Sequence, residues 1–345
     1  MARTVTAVPP IAAADWLRRR WLQLLGAWAR PLMTRRDVRV SVMFSAMILT
    51  ATLATLIAPL WLLILGPLLW GVPHLVSDIR YLVVRPGYHR RPWIWLLAGG
   101  PLLWTARGGD LVWGFVGAAA AALVARAPLV RRLAVITALA GFAMIFLGLG
   151  HTGDILFAHA HNFIAVGLWW AWRPRTGRLH WIPLALLIAA SLFLLSPVAL
   201  AIVTAIGGFN WFGGGMGPDY QLWRLSADIE PDLGLRLVLL FCFGQAIHYA
   251  IWLQLLPDDD RARATPPTFR ASYEDLCRDM TRPGVWSAGL LALAIAAWAV
   301  HDLMNACNGY FRMARFHGHL ELIAIAVLLL EGRPRERPDP PALRA

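Results

Sequence analysis

The sequence predicts an all-α fold: a polytopic integral membrane bundle of about ten transmembrane helices, with both termini in the cytoplasm. Three observations carry this. The 345 residues are 58% hydrophobic and 15% charged, with a mean hydropathy of +0.56. A water-soluble chain of this length needs more charge to cover its surface. Apolar runs near the length that crosses ~30 Å of hydrocarbon recur along the chain. Arginines concentrate in alternate connections between those runs, the signature of cytoplasmic loops.

Residues 1–39 form a basic N-terminal segment. From Asp15-Trp16-Leu17-Arg18-Arg19-Arg20-Trp21 to Trp28, apolar residues alternate with arginines. That pattern fits an amphipathic helix lying on the cytoplasmic membrane surface, or a solvated basic tail. The first run of membrane length begins near Val40, so no cleavable leader is expected. A single transmembrane domain then covers 40–331. Its apolar runs are 40–58, 60–84, 93–105, 110–125, 133–150, 155–172, 181–206, 233–256, 284–304 and 316–331. The third and fourth are short, as in tilted, re-entrant or partly interfacial segments.

The connections test that count. Arg85/Arg90/Arg91, Arg126/Arg131/Arg132, Arg173/Arg175/Arg178, the stretch from Arg261 to Arg282 and the tail at Arg333–Arg337 are basic. The intervening connections at Pro59, Arg107–Gly109, His151–Asp154, 207–232 and 305–315 hold few arginines. Every even-numbered helix then runs inward, in the orientation expected of a bacterial inner membrane protein. The Gly- and aromatic-rich 207–232 segment reads as a lid over the interface or as a flexible connector. The Pro-rich tail 332–345 is expected to be disordered.

The net charge of +12 comes entirely from arginine, since no lysine occurs. These arginines sit in short loops between apolar runs, which matches anionic lipid headgroups and excludes nucleic acid as the partner. The 18 tryptophans suit membrane interfaces. Cys242, Cys277 and Cys307 fall at three depths with no CxxC spacing, so no disulfide is expected.

Ionisable residues inside the membrane are costly and point to function. His74 lies 11 residues before Arg85, His161 and His159 lie 12 and 14 before Arg173, His248 lies 13 before Arg261, and His319 and His317 lie 14 and 16 before Arg333. At 1.5 Å per residue, all of them sit about 16–24 Å above the basic loops, near the midplane. Residues i and i+4 share a helix face, so His74 pairs with Asp78 and His317 with Glu321. Residues i and i+2 point apart, so one histidine of each pair, His159/His161 and His317/His319, ligates while the other supports it. Pro73 is positioned to open the helix at His74 and free backbone carbonyls. Neutral imidazoles with carboxylates suit non-haem iron, zinc or manganese, here one or two ions. Asn162, Gln245, Asp302 and Asn305 are candidate groups behind the ligands. A lone intramembrane histidine is also a common helix–helix hydrogen-bonding residue, but four spans sharing one depth favour a common metal. His89 and His180 read as interface residues. His301 with Asp302 reads as a polar cap, and His151 with Asp154 as a cap, a proton path or a second site.

The stretch Gly71-Val72-Pro73-His74-Leu75-Val76-Ser77-Asp78 resembles the G-x-P-H-x3-D-H motif of the Brp/Blh family of membrane β-carotene dioxygenases. Ile79 stands where that motif carries its second histidine. His151-Thr152-Gly153-Asp154 is faintly similar to a second family stretch. His248 matches the first histidine of a third signature, in which Trp252 replaces the second. The resemblance implies a polytopic iron enzyme with His74 as ligand, His151 and His248 as further ligands, and a diverged substrate.

The residues thus point first to a membrane non-haem iron (Fe2+) oxygenase or dioxygenase. It would combine O2 with a hydrophobic small molecule dissolved in the bilayer: a carotenoid, another isoprenoid or a lipid. An ion- or proton-coupled transporter would also use buried His, Asp and Glu. A di-iron lipid desaturase or hydroxylase fits less well, because no HxxxH or HxxHH cluster occurs. Facing histidines would also serve a haem.

Overall fold

The computed structural model describes residues 9–175, 177–210, 215–226 and 229–332, and among these all regular structure is helical. Six helices are long and apolar enough to cross a membrane: α3 (Arg36–Ile57), α4 (Pro59–Val84), α7 (Leu129–Leu149), α12 (Pro231–Asp259), α14 (Arg282–His301) and the stretch Leu303–Glu331, made of α15 (Leu303–Ala314) and α16 (Phe316–Glu331). The long apolar stretches of α7 and α14 are only 6% buried within the protein, which leaves an almost wholly apolar outer surface. Water does not tolerate such faces at this scale, whereas a bilayer does. These helices are consistent with an integral membrane protein.

Five further helices complete the bundle. α8 (His151–Trp172) is long enough to span, but its histidines and Asn162 dilute its hydropathy. α5 (Pro92–Ala106) and α6 (Val112–Leu123) are short. α6 presents Gly114, Gly117, Ala118, Ala121 and Ala122 on one buried stripe, and this small-residue face packs directly on α16. α9 (Trp181–Leu194) and α10 (Pro197–Ala205) were expected as one span, but they bend by 69°. Pro197 disfavours helix at Ser196, whose hydroxyl caps α10 by accepting the Ala199 N–H. The same device separates α3 from α4, where Ala58 precedes Pro59 and leaves the helical region.

Two connections differ from expectation. The stretch 305–315 is helical rather than a loop, because the Asp302 carboxylate caps α15 at the Asn305 N–H (3.0 Å). The segment 207–232 carries a docked helix, α11 (Pro218–Leu225), with Phe209 and Met216 buried in the core. Glu230 caps α12 by accepting the Asp232 and Leu233 N–H groups, and these bonds hold its carboxyl below the usual carboxylate range. The cap is therefore intact at neutral pH and is lost as pH falls through that lowered value.

The N-terminal segment is α1 (Pro9–Leu25) and α2 (Ala29–Thr34), and the expected boundary at residue 39 falls inside α3. α1 leaves Trp16, Leu17, Trp21 and Leu24 exposed. It is tied to the protein through Asp15, which accepts the Phe269 and Arg270 N–H groups at the start of α13 (Phe269–Met280). The expected disordered tail lies, apart from Gly332, outside the described residues.

One end of the bundle is a layer of arginines clamped to acids. Arg85 pairs with Asp260, Arg175 with Asp259 (2.6 Å), Arg80 with Asp279 (2.8 Å) and Arg91 with Glu331 (2.9 Å). The ends of α4, α8, α12 and α16 and the starts of α3 and α5 all meet there. Arg39 is also buried in this layer. It grips Asp258 through two nitrogens (2.9–3.1 Å) and also donates to the Leu32 and Ala264 carbonyls.

Removing one partner of such a pair leaves a buried charge without compensation, at about 3–5 kcal/mol. Arg39→Ala is expected to lower the thermal unfolding midpoint of the purified protein strongly. An Arg39→Met/Asp258→Leu double variant should recover most of that loss in the same assay.

Candidate metal centre

The centre forms where α4, α8, α12 and α16 meet. Each contributes one imidazole: His74, His161, His248 and His317. Their rings form a closed circuit, mostly edge to face, with centroid separations of 4.7 Å (His74–His317), 4.5 Å (His317–His161), 4.4 Å (His161–His248) and 5.1 Å (His248–His74). Two carboxylates flank the circuit. Asp78 lies 3.5 Å from His74 Nε2, and Glu321 lies 3.6 Å from His248 Nε2. His74, Asp78 and Glu321 have no exposed surface, and His248 has 1%.

Local backbone fixes the tautomers. His74 Nδ1 donates to the Gly71 carbonyl (2.8 Å), and His317 Nδ1 donates to the Ala314 carbonyl. A carbonyl can only accept, so both Nδ1 atoms carry the proton and both Nε2 atoms offer a lone pair to the centre. The helix continues through Pro73, and the carbonyl that this proline leaves without its helical donor is that of Leu69, not the Gly71 carbonyl that holds His74. Trp252 donates its indole N–H to Glu321 (2.8 Å), which fixes that carboxylate. The Trp252 carbonyl in turn accepts the Ser77 hydroxyl (2.6 Å), bracing α12 against α4. Both helices widen into π-helical turns beside the centre, at Ile79–Val84 and Ile251–Leu255. Such turns re-aim side chains and are frequent at functional sites.

Glycines let the rings approach. A Cβ on Gly318 would stand 2.7 Å from His161 Cδ2, and one on Gly71 would stand 2.3 Å from the Tyr310 ring. A Cβ on Gly114 would overlap the His319 ring at 1.6 Å.

The donor set fits a metal ion. His74 Nε2, both His248 ring nitrogens, both Asp78 oxygens and Glu321 Oε2 are buried without a hydrogen-bond partner. Each such group costs several kcal/mol in an apolar interior unless something satisfies it. His74, His248 and His317 offer ligand atoms within 4.8 Å of one another, as do His161, His248 and Glu321. The Nε2 atoms of His161 and His317 are 2.7 Å apart. Two nitrogens each about 2.1 Å from one ion, at adjacent coordination positions, would lie roughly 3 Å apart. Four imidazoles with two carboxylates suit iron, zinc or manganese.

Other candidates lie elsewhere. His159 points away from the circuit and donates from Nε2 to the Leu225 carbonyl (3.0 Å), pinning α11 to α8. His319 stacks on Phe157 (centroids 4.8 Å apart), and its Nδ1 donates to the Arg315 carbonyl. His151 is exposed at the start of α8, ten residues or about 15 Å along the helix from His161. Asp302 and Asn305 are engaged in the cap of α15 rather than near the centre. Asn162 is buried with its Cβ position against Gly244, and Gln245 approaches Gly66. Tyr249, whose ring lies 4.9 Å from His74, and Trp252 were not anticipated from sequence.

A cavity of about 370 Å3 reaches the centre from the side away from the arginine layer. His161, His248 and His317 line it, while His74, Asp78 and Glu321 do not. The centre thus has an accessible face and a sealed one. Phe157, Phe241 and Ile155 make the wall apolar.

Gly318→Ala is expected to push His161 out of the circuit and weaken metal binding about 10–100-fold, with the helical circular dichroism unchanged. Trp252→Phe keeps an aromatic ring but removes the bond to Glu321. It should weaken metal retention during chelator titration to a similar extent, without lowering expression.

Comparison with protein-family models, curated proteins and solved structures finds no match for this chain, so the centre stands on its own geometry.

Proposed function

We propose that the protein is a membrane-embedded non-haem iron oxygenase acting on an apolar, bilayer-dissolved substrate. The observation that carries this reading is the convergence of four imidazoles, two of them with orphaned buried nitrogens, at the closed end of an apolar cavity. Ferrous iron held there would supply the one-electron chemistry that lets O2 react with a closed-shell organic molecule. His74, His161, His248 and His317 would hold one ion, and Asp78 and Glu321 would balance its charge or bind a second. The sealed face keeps water from the ligands, and the cavity face leaves coordination positions for O2 and substrate. The phenylalanine-lined wall would desolvate and orient a carotenoid, isoprenoid or lipid chain.

The resemblance to the Brp/Blh family at Gly71–Asp78 supports the iron assignment. Trp252, which replaces a family histidine, has a role of its own in holding Glu321, and this supports a diverged substrate. A carrier needs buried ionisable groups arranged along a path between the two sides. Here the buried imidazoles and carboxylates cluster at one depth, and the cavity reaches them from one side, which favours the enzyme. The arginine layer supports an N-in, C-in orientation in a bacterial inner membrane, with α5 and α6 as short additional spans and the α9–α10 pair as one bent span.

Purified wild-type protein is expected to contain iron by elemental analysis and to lack a haem Soret band. His74→Ala and His248→Ala should lose most of the metal, whereas His151→Ala and His159→Ala should retain it. Full iron occupancy in His248→Ala would sink the assignment.

A further inference from the structure

The far end of the cavity differs from its histidine end. Between α11 and the start of α8, it is lined by Arg224, Arg315, His151, Asp154 and Asn308. Few arginines occur on this side of the chain, yet two of them border one cavity. Arg224 is stacked over Phe311 (4.5 Å) and lies beside the Tyr220 ring (6.0 Å). Its Nη1 is buried with no hydrogen-bond partner, and no ion pair joins it to a carboxylate among the described residues. Tyr220 donates to Asn308 Oδ1 (3.0 Å), which fixes the wall beside the guanidinium. Arg224 adjoins Leu225, whose carbonyl accepts from His159, so α11 is held at a set position over the cavity. The close approach at Gly234, where a Cβ would stand 2.7 Å from Leu222, presses the same helix onto α12.

We propose that this cavity selects a long-chain monocarboxylate, with the carboxylate held by Arg224 and Arg315 and the apolar chain directed to the histidine centre. Guanidinium groups match a carboxylate in geometry and charge. The charge count favours one negative charge. Two arginines against Asp154 leave one net positive charge with histidine neutral, whereas a phosphate monoester carries about −1.5 to −2. The volume suits a ligand of moderate size, such as a fatty or isoprenoid acid, better than a long symmetric hydrocarbon. The role of the chain at the centre rests on the oxygenase reading, but recognition of the head does not.

The test is equilibrium binding of palmitate and of hexadecanol to the full-length protein in zwitterionic lipid nanodiscs, corrected for empty nanodiscs. Palmitate is expected to bind at least about tenfold more tightly than the alcohol, as a charge-assisted hydrogen bond implies. Arg224→Gln should abolish that preference, and Arg224→Lys, which keeps the charge but not the planar guanidinium, should keep only part of it. Arg315→Gln, at an exposed position, should reduce it without a folding risk. Equal affinity in the wild type would overturn the proposal, as would a preference that survives in an Arg224→Gln/Arg315→Gln double variant. Iron content measured on the same samples separates the two readings. A carboxylate preference in metal-free protein supports this site and removes the oxygenase, while iron without the preference overturns this site alone.

Discussion

The structure depends on burying four imidazoles and two carboxylates at one point in an apolar bundle. Each group would be individually unfavourable there, and the orphaned nitrogens and oxygens of His74, Asp78, His248 and Glu321 multiply that cost. Hydrophobic packing does not repay it, because apolar residues of similar size would pack as well without the penalty. A cation held among these groups would resolve the problem, since it would satisfy lone pairs and offset charge together. The arrangement is therefore read most economically as a site built around an ion.

The surrounding fold serves that convergence. Glycines 318, 114 and 71 remove the atoms that would keep helices and rings apart. Backbone carbonyls one turn back orient His74 and His317. The π-helical turns in α4 and α12 lie beside the site residues, and the Ser77–Trp252 bond joins the two helices there. At the basic end, ion pairs such as Arg39–Asp258 and Arg91–Glu331 lock the ends of the same helices, so their register cannot slide. Register matters because one residue of slip would turn a histidine by about 100° around its helix.

Much of this was legible in the sequence, for a simple reason. The arginine loops mark one plane, and counting residues up from it gives depth, which is how His74, His161, His248 and His317 fall into one layer. Facing was legible within a helix, as with His74 and Asp78. The choice between His159 and His161, or between His317 and His319, depends on helix rotation, which neighbouring helices set. The signal was partly visible in His317-Gly318-His319, where the glycine marks the close approach of His161. Trp252 read as a lost ligand, whereas its indole holds Glu321, a cross-helix contact with no trace in local pattern. The 69° bend between α9 and α10 was signalled by Ser196-Pro197 but was hidden by continuous hydropathy. The helical 305–315 stretch was hidden for the opposite reason, since its polar residues resemble a loop until the Asp302 cap is seen.

The site also orders the cavity. Its closed end presents His161, His248 and His317, and its far end presents Arg224 and Arg315. On the proposed reading, chemistry and recognition would lie at opposite ends of one cavity, to which α8 contributes His161 and Asp154. The central claim is that these histidines bind one metal centre directly, and X-ray absorption spectroscopy of the purified protein tests it most directly. The account predicts iron with several imidazole nitrogens near ~2.1 Å. A spectrum without imidazole scattering, or protein that takes up no metal when reconstituted with ferrous iron, would contradict it.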